Sequence, residues 1–287
     1  MKIGFIGTGV MGAAMAGHLQ AAGYALYVYN RTQSKADALV TGGATWCDDV
    51  KTVAQQADVI FTIIGMPSDV EAVYLGEDGL IANAKQGAIL IDMTTSSPSL
   101  AKRIAEAGEK AGVSCVDAPV TGGDIGAKNG TLTIFVGGEE KIFKTLLPMF
   151  DVFGQSIFYL GTAGSGQHGK IANQIAISGA VIGMAESLAY ANGANIDLRT
   201  MQEAISTGSG ASWQMSNMAP RATSDDFAPG FYIKHFVKDM NIGLEEALIS
   251  GVDLPALKLV RDQYVKMIAA GDEDLGTQAI VKLYSSR

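Results

Sequence analysis

The first half of the chain repeats one rhythm. Short runs of β-branched, aromatic and other apolar residues at 2–6, 25–29, 58–64, 88–93, 113–116, 131–136 and 156–160 are separated by stretches with helical spacing. Runs of this length read as strands, and strands alternating with helices build a largely parallel sheet with helices on its faces. After Gly161 the rhythm stops. A glycine-rich turn leads into an apolar helix of roughly thirty residues, and amphipathic segments follow at 198–205, 233–250 and 255–270. The pattern therefore predicts an α/β fold in two domains. The first domain, with a mostly parallel sheet, spans residues 1–162. The second, all-helical, spans 163–287 and is opened by a long interdomain helix.

Composition narrows this picture. The apolar stretch from Ile171 to Ala191 has bilayer length, but Asn173, Gln174, Ser178, Glu186 and Ser187 interrupt it, so it reads as a buried core helix and no membrane partner is expected. Its apolar surface exceeds what a small second domain needs to cover, which predicts a homodimer or homotetramer. A net charge of −8 disfavours nucleic acid as a partner. Cys47 and Cys115, together with His18, His168 and His235, have neither a disulfide framework nor metal-ligand spacing. The apolar run at the N-terminus is too short for an export signal, and a cytoplasmic protein is expected.

Gly7-Thr8-Gly9-Val10-Met11-Gly12 directly follows the first strand and opens a helix through Gln20. In that context Gly7 permits the tight turn, Gly9 clears the approach of a pyrophosphate, and Gly12 lets helix and strand come close, as in a Rossmann-type βαβ unit. A second match, Gly164-Ser165-Gly166-Gln167-His168-Gly169, leads into the helical half with no strand to complete such a unit. The first is therefore the expected dinucleotide loop, which makes 1–162 the expected dinucleotide-binding domain and 163–287 the expected substrate and oligomerisation domain. The second strand ends at Asn30-Arg31-Thr32, without the acid that binds both ribose hydroxyls of NAD. Arg31 suits a 2′-phosphate, with neutral hydrogen bonds from Asn30 and Thr32, so NADP(H) is the preferred cofactor and NAD(H) the alternative. The plainer reading of Arg31 is an exposed arginine in a turn.

Two further segments carry chemistry. Asp117-Ala118-Pro119-Val120-Thr121-Gly122-Gly123 leaves a strand for a loop whose glycine N–H groups, beside a hydroxyl, suit a carboxylate. Alone it is equally a glycine-rich turn. Lys170 stands near the start of the apolar helix, with Asn173 three and Gln174 four positions later on roughly the same face. Lys170 is either a snorkelling lysine or a general acid that protonates the alkoxide formed when hydride reaches an aldehyde.

In this order, the N-terminal glycine loop, the Asp117 to Gly123 segment, the Gly164 to Asn173 segment and Lys238-Asp239 resemble the β-hydroxyacid dehydrogenase family. That family includes the 3-hydroxyisobutyrate dehydrogenases, the tartronate semialdehyde reductases and the glyoxylate/succinic semialdehyde reductases. The resemblance implies that Lys170 is the general acid/base, that Thr121, Gly122 and Gly123 bind the substrate carboxylate, and that Asn173 supports the substrate. It also implies Thr95 and Lys238 as cofactor contacts, and Phe231 and Asp239 as pocket residues. Two departures stand out: Thr121 replaces a common serine, and relatives differ over whether the asparagine lies three or four residues after the lysine, where this chain has Asn173 and Gln174. The expected function is an NADP(H)-dependent interconversion of a small carboxylate-bearing aldehyde and its hydroxy acid. A His235–Asp239 relay, an imine reductase on the same scaffold and a non-catalytic dinucleotide-sensing module are the alternatives.

Overall fold

The computed structural model describes residues 1–284. The chain divides after Lys170 into two compact units.

Among the described residues the first unit holds nine strands: β1 (Lys2–Ile6), β2 (Ala25–Tyr29), β3 (Thr45–Trp46), β4 (Val59–Thr62), β5 (Ile89–Asp92), β6 (Ser114–Asp117), β7 (Val120–Thr121), β8 (Leu132–Gly137) and β9 (Gly154–Gly161). Their order is β3-β2-β1-β4-β5-β6-β8-β7, with β9 paired to β8. The six strands β3 to β6 in that order are parallel throughout; β8 runs antiparallel to β6 and β7 and parallel to β9. This is a Rossmann-type sheet, and its central strands are buried on both faces, which explains their continuous apolar runs. Side chains alternate between two cores: Val59 and Phe61 point to one, Ile60 to the other. On the first face Phe61 sits 6.1 Å from Phe5, 6.2 Å from Phe150 and 6.0 Å from Phe153, ring centre to ring centre. The strands β3 and β7 lie outside the sequence expectation, because two residues show no periodicity. The parallel order places the loops after β1, β2, β4, β5 and β6 at one end of the sheet, the end where such folds bind ligands.

The second unit is helical. Its main helices are Leu198–Ser206, Ile233–Ile249 and Pro255–Ala269, with shorter turns at Trp213–Asn217, Ala219–Ala222 and a 3-10 segment Thr277–Leu283. The long helix Ser165–Gly193 contains the division after Lys170. From Ile171 on, Gln174, Ser178, Val181, Ala185, Leu188 and Ala191 are buried at three- or four-residue spacing. Val181, Met184, Ala185 and Leu188 share a core with Ile233, Phe236, Met240, Leu257 and Tyr264. The helix is long and apolar enough to cross a membrane by composition, but this face belongs to the protein core. Its other face exposes Ala172, Ala176, Gly179 and Gly183.

Because Phe61 contacts three aromatic rings and is fully buried, Phe61→Ala should destabilise the first unit by about 3–5 kcal/mol. Denaturant unfolding followed through that unit measures it; a loss below about 1 kcal/mol would contradict this packing.

Candidate active site

The first glycine loop is built around three different constraints. Gly7 has φ +97°, and a Cβ there would fall on the Ile63 carbonyl oxygen. A Cβ on Gly12 would fall on the Gly7 carbonyl oxygen. Gly9 faces open space, with nothing within 4 Å of where a Cβ would stand, which is what a cradle for a phosphate requires. Helix Gly12–Ala21 has no side-chain cap and no acid in its first turn, so its N–H groups point to an anion site without a repelling charge. Thr8 Oγ1 is buried and has no hydrogen-bond partner among the described residues, and the same holds for Ser96 Oγ in the loop after β5. An orphaned hydroxyl within the open glycine loop fits a dinucleotide that supplies its partner.

The end of β2 supports this loop directly. Asn30 Oδ1 accepts the Thr8 N–H at 3.1 Å, while its Nδ2 donates to the Thr32 carbonyl at 2.8 Å. Arg31 lies 3.4 Å from Asp69, an exposed pair with 77% of the arginine side chain accessible. Such a pair holds little energy against a competing anion.

Two acids close adjacent parallel strands, Asp92 on β5 beside Asp117 on β6. Asp92 accepts from Thr62 Oγ1 and from the Thr94 N–H, each at 3.0 Å. Asp117 accepts the N–H groups of Gly164 and Gln167, each at 2.8 Å. Burial raises both carboxyls to about 6, against the hydrogen bonds that pull them down. The second glycine match thus carries a carboxylate of the protein itself. Gln167, fully buried, continues the network: its Oε1 accepts the Ser96 N–H at 2.9 Å and its Nε2 donates to the Thr94 carbonyl at 2.8 Å. Thr95 is held between those two anchored residues. Lys170, 6% exposed, follows Gln167 by one turn of the helix.

Thr121 closes β7 and is half-buried; Gly122 and Gly123 follow with φ of 129° and 65°. Positive φ at both positions favours glycine, and nothing lies within 4 Å of where a Cβ on Gly123 would stand.

Within the second unit, Lys238 Nζ lies 3.0 Å from Asp239 Oδ1, Asp239 Oδ2 accepts from Gln174 Nε2 at 2.7 Å, and Gln174 Oε1 accepts from Asn173 Nδ2 at 2.9 Å. A carboxylate only accepts, so this chain has one direction: it fixes the Gln174 amide and through it Asn173. Asp239 Oδ2 is thus taken by Gln174, while Oδ1 faces the Lys238 ammonium without a hydrogen-bond partner among the described residues. The His235 imidazole is held below its usual value, mainly by burial and then by Lys238. Phe231 precedes the helix Ile233–Ile249 and packs 6.0 Å from Phe236.

The sequence reading missed Asp92 and Gln167. A signal for the first existed, since both β5 and β6 end an apolar run in aspartate. Gln167 left none, because its partners are backbone groups more than 70 residues away. A direct contrast tests the glycine loop: Gly9→Ala should weaken dinucleotide binding about tenfold or more with thermal stability unchanged, whereas Gly12→Ala should cost about 1–3 kcal/mol of stability. Fluorescence titration and thermal unfolding read the two; equal effects from both variants would contradict the assignment.

Comparison with known proteins agrees with this layout. Residues 2–161 match a family model described as the NAD binding domain of 6-phosphogluconate dehydrogenase. Residues 164–284 match one described as NAD-binding of NADP-dependent 3-hydroxyisobutyrate dehydrogenase. The chain is 52% identical to an uncharacterised oxidoreductase of Bacillus subtilis, over 98% of both chains. It is 34% identical to a 2-hydroxy-3-oxopropionate reductase of Escherichia coli, over 98% of this chain and 96% of the relative. The solved structure of a Mycobacterium tuberculosis 3-hydroxyisobutyrate dehydrogenase with L-serine superposes with a TM-score of 0.90 at 26% identity, over 99% of both chains. A Rossmann-type unit with an open dinucleotide cradle, followed by a helical unit and matched along nearly its whole length, makes this chain a member of the β-hydroxyacid dehydrogenase family of NAD(P)-dependent oxidoreductases.

Proposed function

We propose that the protein is an NADP(H)-dependent reductase of a small aldehyde bearing a carboxylate, and that it also runs the reverse oxidation of the hydroxy acid. The observation that carries this reading is Lys170, a lysine 6% exposed near the start of a helix whose first turn is pinned by Asp117 and Gln167. A snorkelling lysine keeps its head in water; a buried one beside anchored loops suits proton transfer.

When bound, a nicotinamide dinucleotide would supply the hydride for the carbonyl carbon. Lys170 gives a proton from its ammonium to the oxygen that gains the electron pair of the C=O bond, and recovers a proton from solvent afterwards. In the oxidation the neutral amine takes the hydroxyl proton. The Thr121 hydroxyl and the N–H groups of Gly122 and Gly123 hold the substrate carboxylate. Asn173, rather than Gln174, addresses the substrate: Gln174 is buried and already joined to Asn173 and Asp239, whereas Asn173 is half-buried. Asp239 acts through Gln174, Lys238 and Thr95 contact the cofactor, and Phe231 lines the substrate pocket.

On this reading Gly7 to Gly12 hold the pyrophosphate, and Arg31, freed from its exposed pair with Asp69, meets the 2′-phosphate between Asn30 and Thr32. The family description naming an NADP-dependent enzyme supports that preference. Residues 1–162 then serve the cofactor and 163–287 the substrate and subunit contact, in a cytoplasmic homodimer or homotetramer. The exposed apolar and small residues of the long helix support the assembly; light scattering that returns the mass of one chain at working concentration would contradict it.

The test is oxidation of NADPH and NADH with succinic semialdehyde, glyoxylate, methylmalonate semialdehyde and tartronate semialdehyde. NADPH should be used in preference, Lys170→Ala should lower kcat by about 10²–10⁴ with cofactor affinity retained, and Arg31→Ala should weaken NADPH binding but not NADH. If all four aldehydes are inert while NADPH binds, the imine-directed or sensing reading replaces this one.

A further inference from the structure

The loop Gly164 to Gly169 has the glycine spacing of an anion-binding turn, and its anion is internal. The carboxylate of Asp117 takes the N–H groups of Gly164 and Gln167. The approach is so close that a Cβ on Gly166 would meet the Asp117 carbonyl oxygen at 2.6 Å, and one on Gly137 would meet the Asp117 carboxylate at 2.7 Å. The helix N-terminus is therefore attached to the end of β6.

Gln167 then makes a second attachment, to the loop after β5. It accepts from the Ser96 N–H and donates to the Thr94 carbonyl with the two ends of one amide. A carboxylate lacks the donor, an ammonium lacks the acceptor, and asparagine is one methylene too short. Thr94 is itself tied on two sides, by its N–H to Asp92 and by its hydroxyl to the Ile64 N–H at 2.9 Å. Three strand ends, those of β4, β5 and β6, thus converge on the first turn of the helix that carries Lys170.

We propose that Gln167, working with Asp117, is a positioning residue for the reaction: it locks the Thr94–Ser96 segment to the helix and so sets where the Lys170 ammonium stands relative to that loop. The proposal rests on the reading of Lys170 as proton donor. Lys170 is three residues past Gln167, about 4.5 Å along the helix axis, so a shift of the first turn passes to it undiminished. Misplacement of a reacting group by about 1 Å costs on the order of a hundredfold in rate.

Two substitutions separate positioning from mere packing. Gln167→Leu keeps the bulk and removes both hydrogen bonds. It should lower kcat about tenfold to a hundredfold, while KM for the aldehyde stays within about threefold. Gln167→Glu is isosteric, and its protonated carboxyl reproduces both bonds, whereas the ionised form turns a negative oxygen toward the Thr94 carbonyl. The acids near this spot, Asp92 through Thr94 and Asp117 through the Gln167 N–H, favour the protonated form; Lys170 one turn on, Lys102 packed against Gly164 and the adjacent His168 are the nearby groups that can carry positive charge. Both acids titrate in the wild type too, so the readout is the ratio of variant to wild-type kcat across pH.

That ratio should rise about tenfold from pH 8 to pH 5.5 for Gln167→Glu and stay flat for Gln167→Leu. If Gln167→Leu fails to fold, Gln167→Glu carries the test alone. A flat ratio for Gln167→Glu overturns the proposal, as does a Gln167→Leu enzyme with wild-type kcat or one in which KM for the aldehyde rises in step with the loss of rate. Lys170→Ala, assayed in parallel, separates the two levels: if it is inactive while both Gln167 variants turn over normally, only the positioning role falls. If it turns over normally, the reading of Lys170 falls and the role of Gln167 with it.

Discussion

The carboxylate of Asp117, buried at the end of β6, accepts two backbone N–H groups from the start of the long helix. Taking that carboxyl out of water costs free energy, visible in its rise to about 6, and the oriented N–H groups of the helix terminus offset much of the cost. The arrangement makes several sequence features necessary at once. Gly137 and Gly166 have no room for a side chain, because the Gly166 N–H and Asp117 carboxylate crowd the first and the Phe135 and Asp117 carbonyl oxygens crowd the second, and Gly164, at φ +89°, makes the turn that delivers its own N–H. Gln167, brought in by the same turn, reaches the Thr94 and Ser96 backbone.

Much of the fold was legible in the chain. The long apolar runs of β1, β4 and β5 declare themselves because both faces of the sheet are covered, and the periodicity of the helices at 233 and 255 declares their buried stripes. Strands β3 and β7 left no mark, since two residues have no period. In the first glycine loop, the tight turn at Gly7, the open space at Gly9 and the close approach at Gly12 could be read from the spacing. What the sequence did not reveal is what the second loop binds. A motif records the spacing of donors, and the acceptor lies about 50 residues away on another strand.

The polar residues of the second unit raise the same difficulty in another form. Asn173 and Gln174 are indistinguishable by helical position, since residues three and four along both lie near the lysine's face. Burial and hydrogen-bond direction separate them: the charge on Lys238 orients Asp239, Asp239 can only accept, and Gln174 must therefore turn its donor inward and its acceptor toward Asn173. That ordering is a property of the assembled unit, set by a residue 65 positions downstream.

The account stands on the attachment of the helix start to Asp117, and amide hydrogen exchange resolved at residues 162–193 tests it most directly. In an Asp117→Ala variant the Gly164 and Gln167 amides should exchange about a hundredfold faster or more, while the amides from 178 onward keep their wild-type protection. Unchanged exchange at Gly164 and Gln167, or an equal loss of protection along the whole helix, would contradict it.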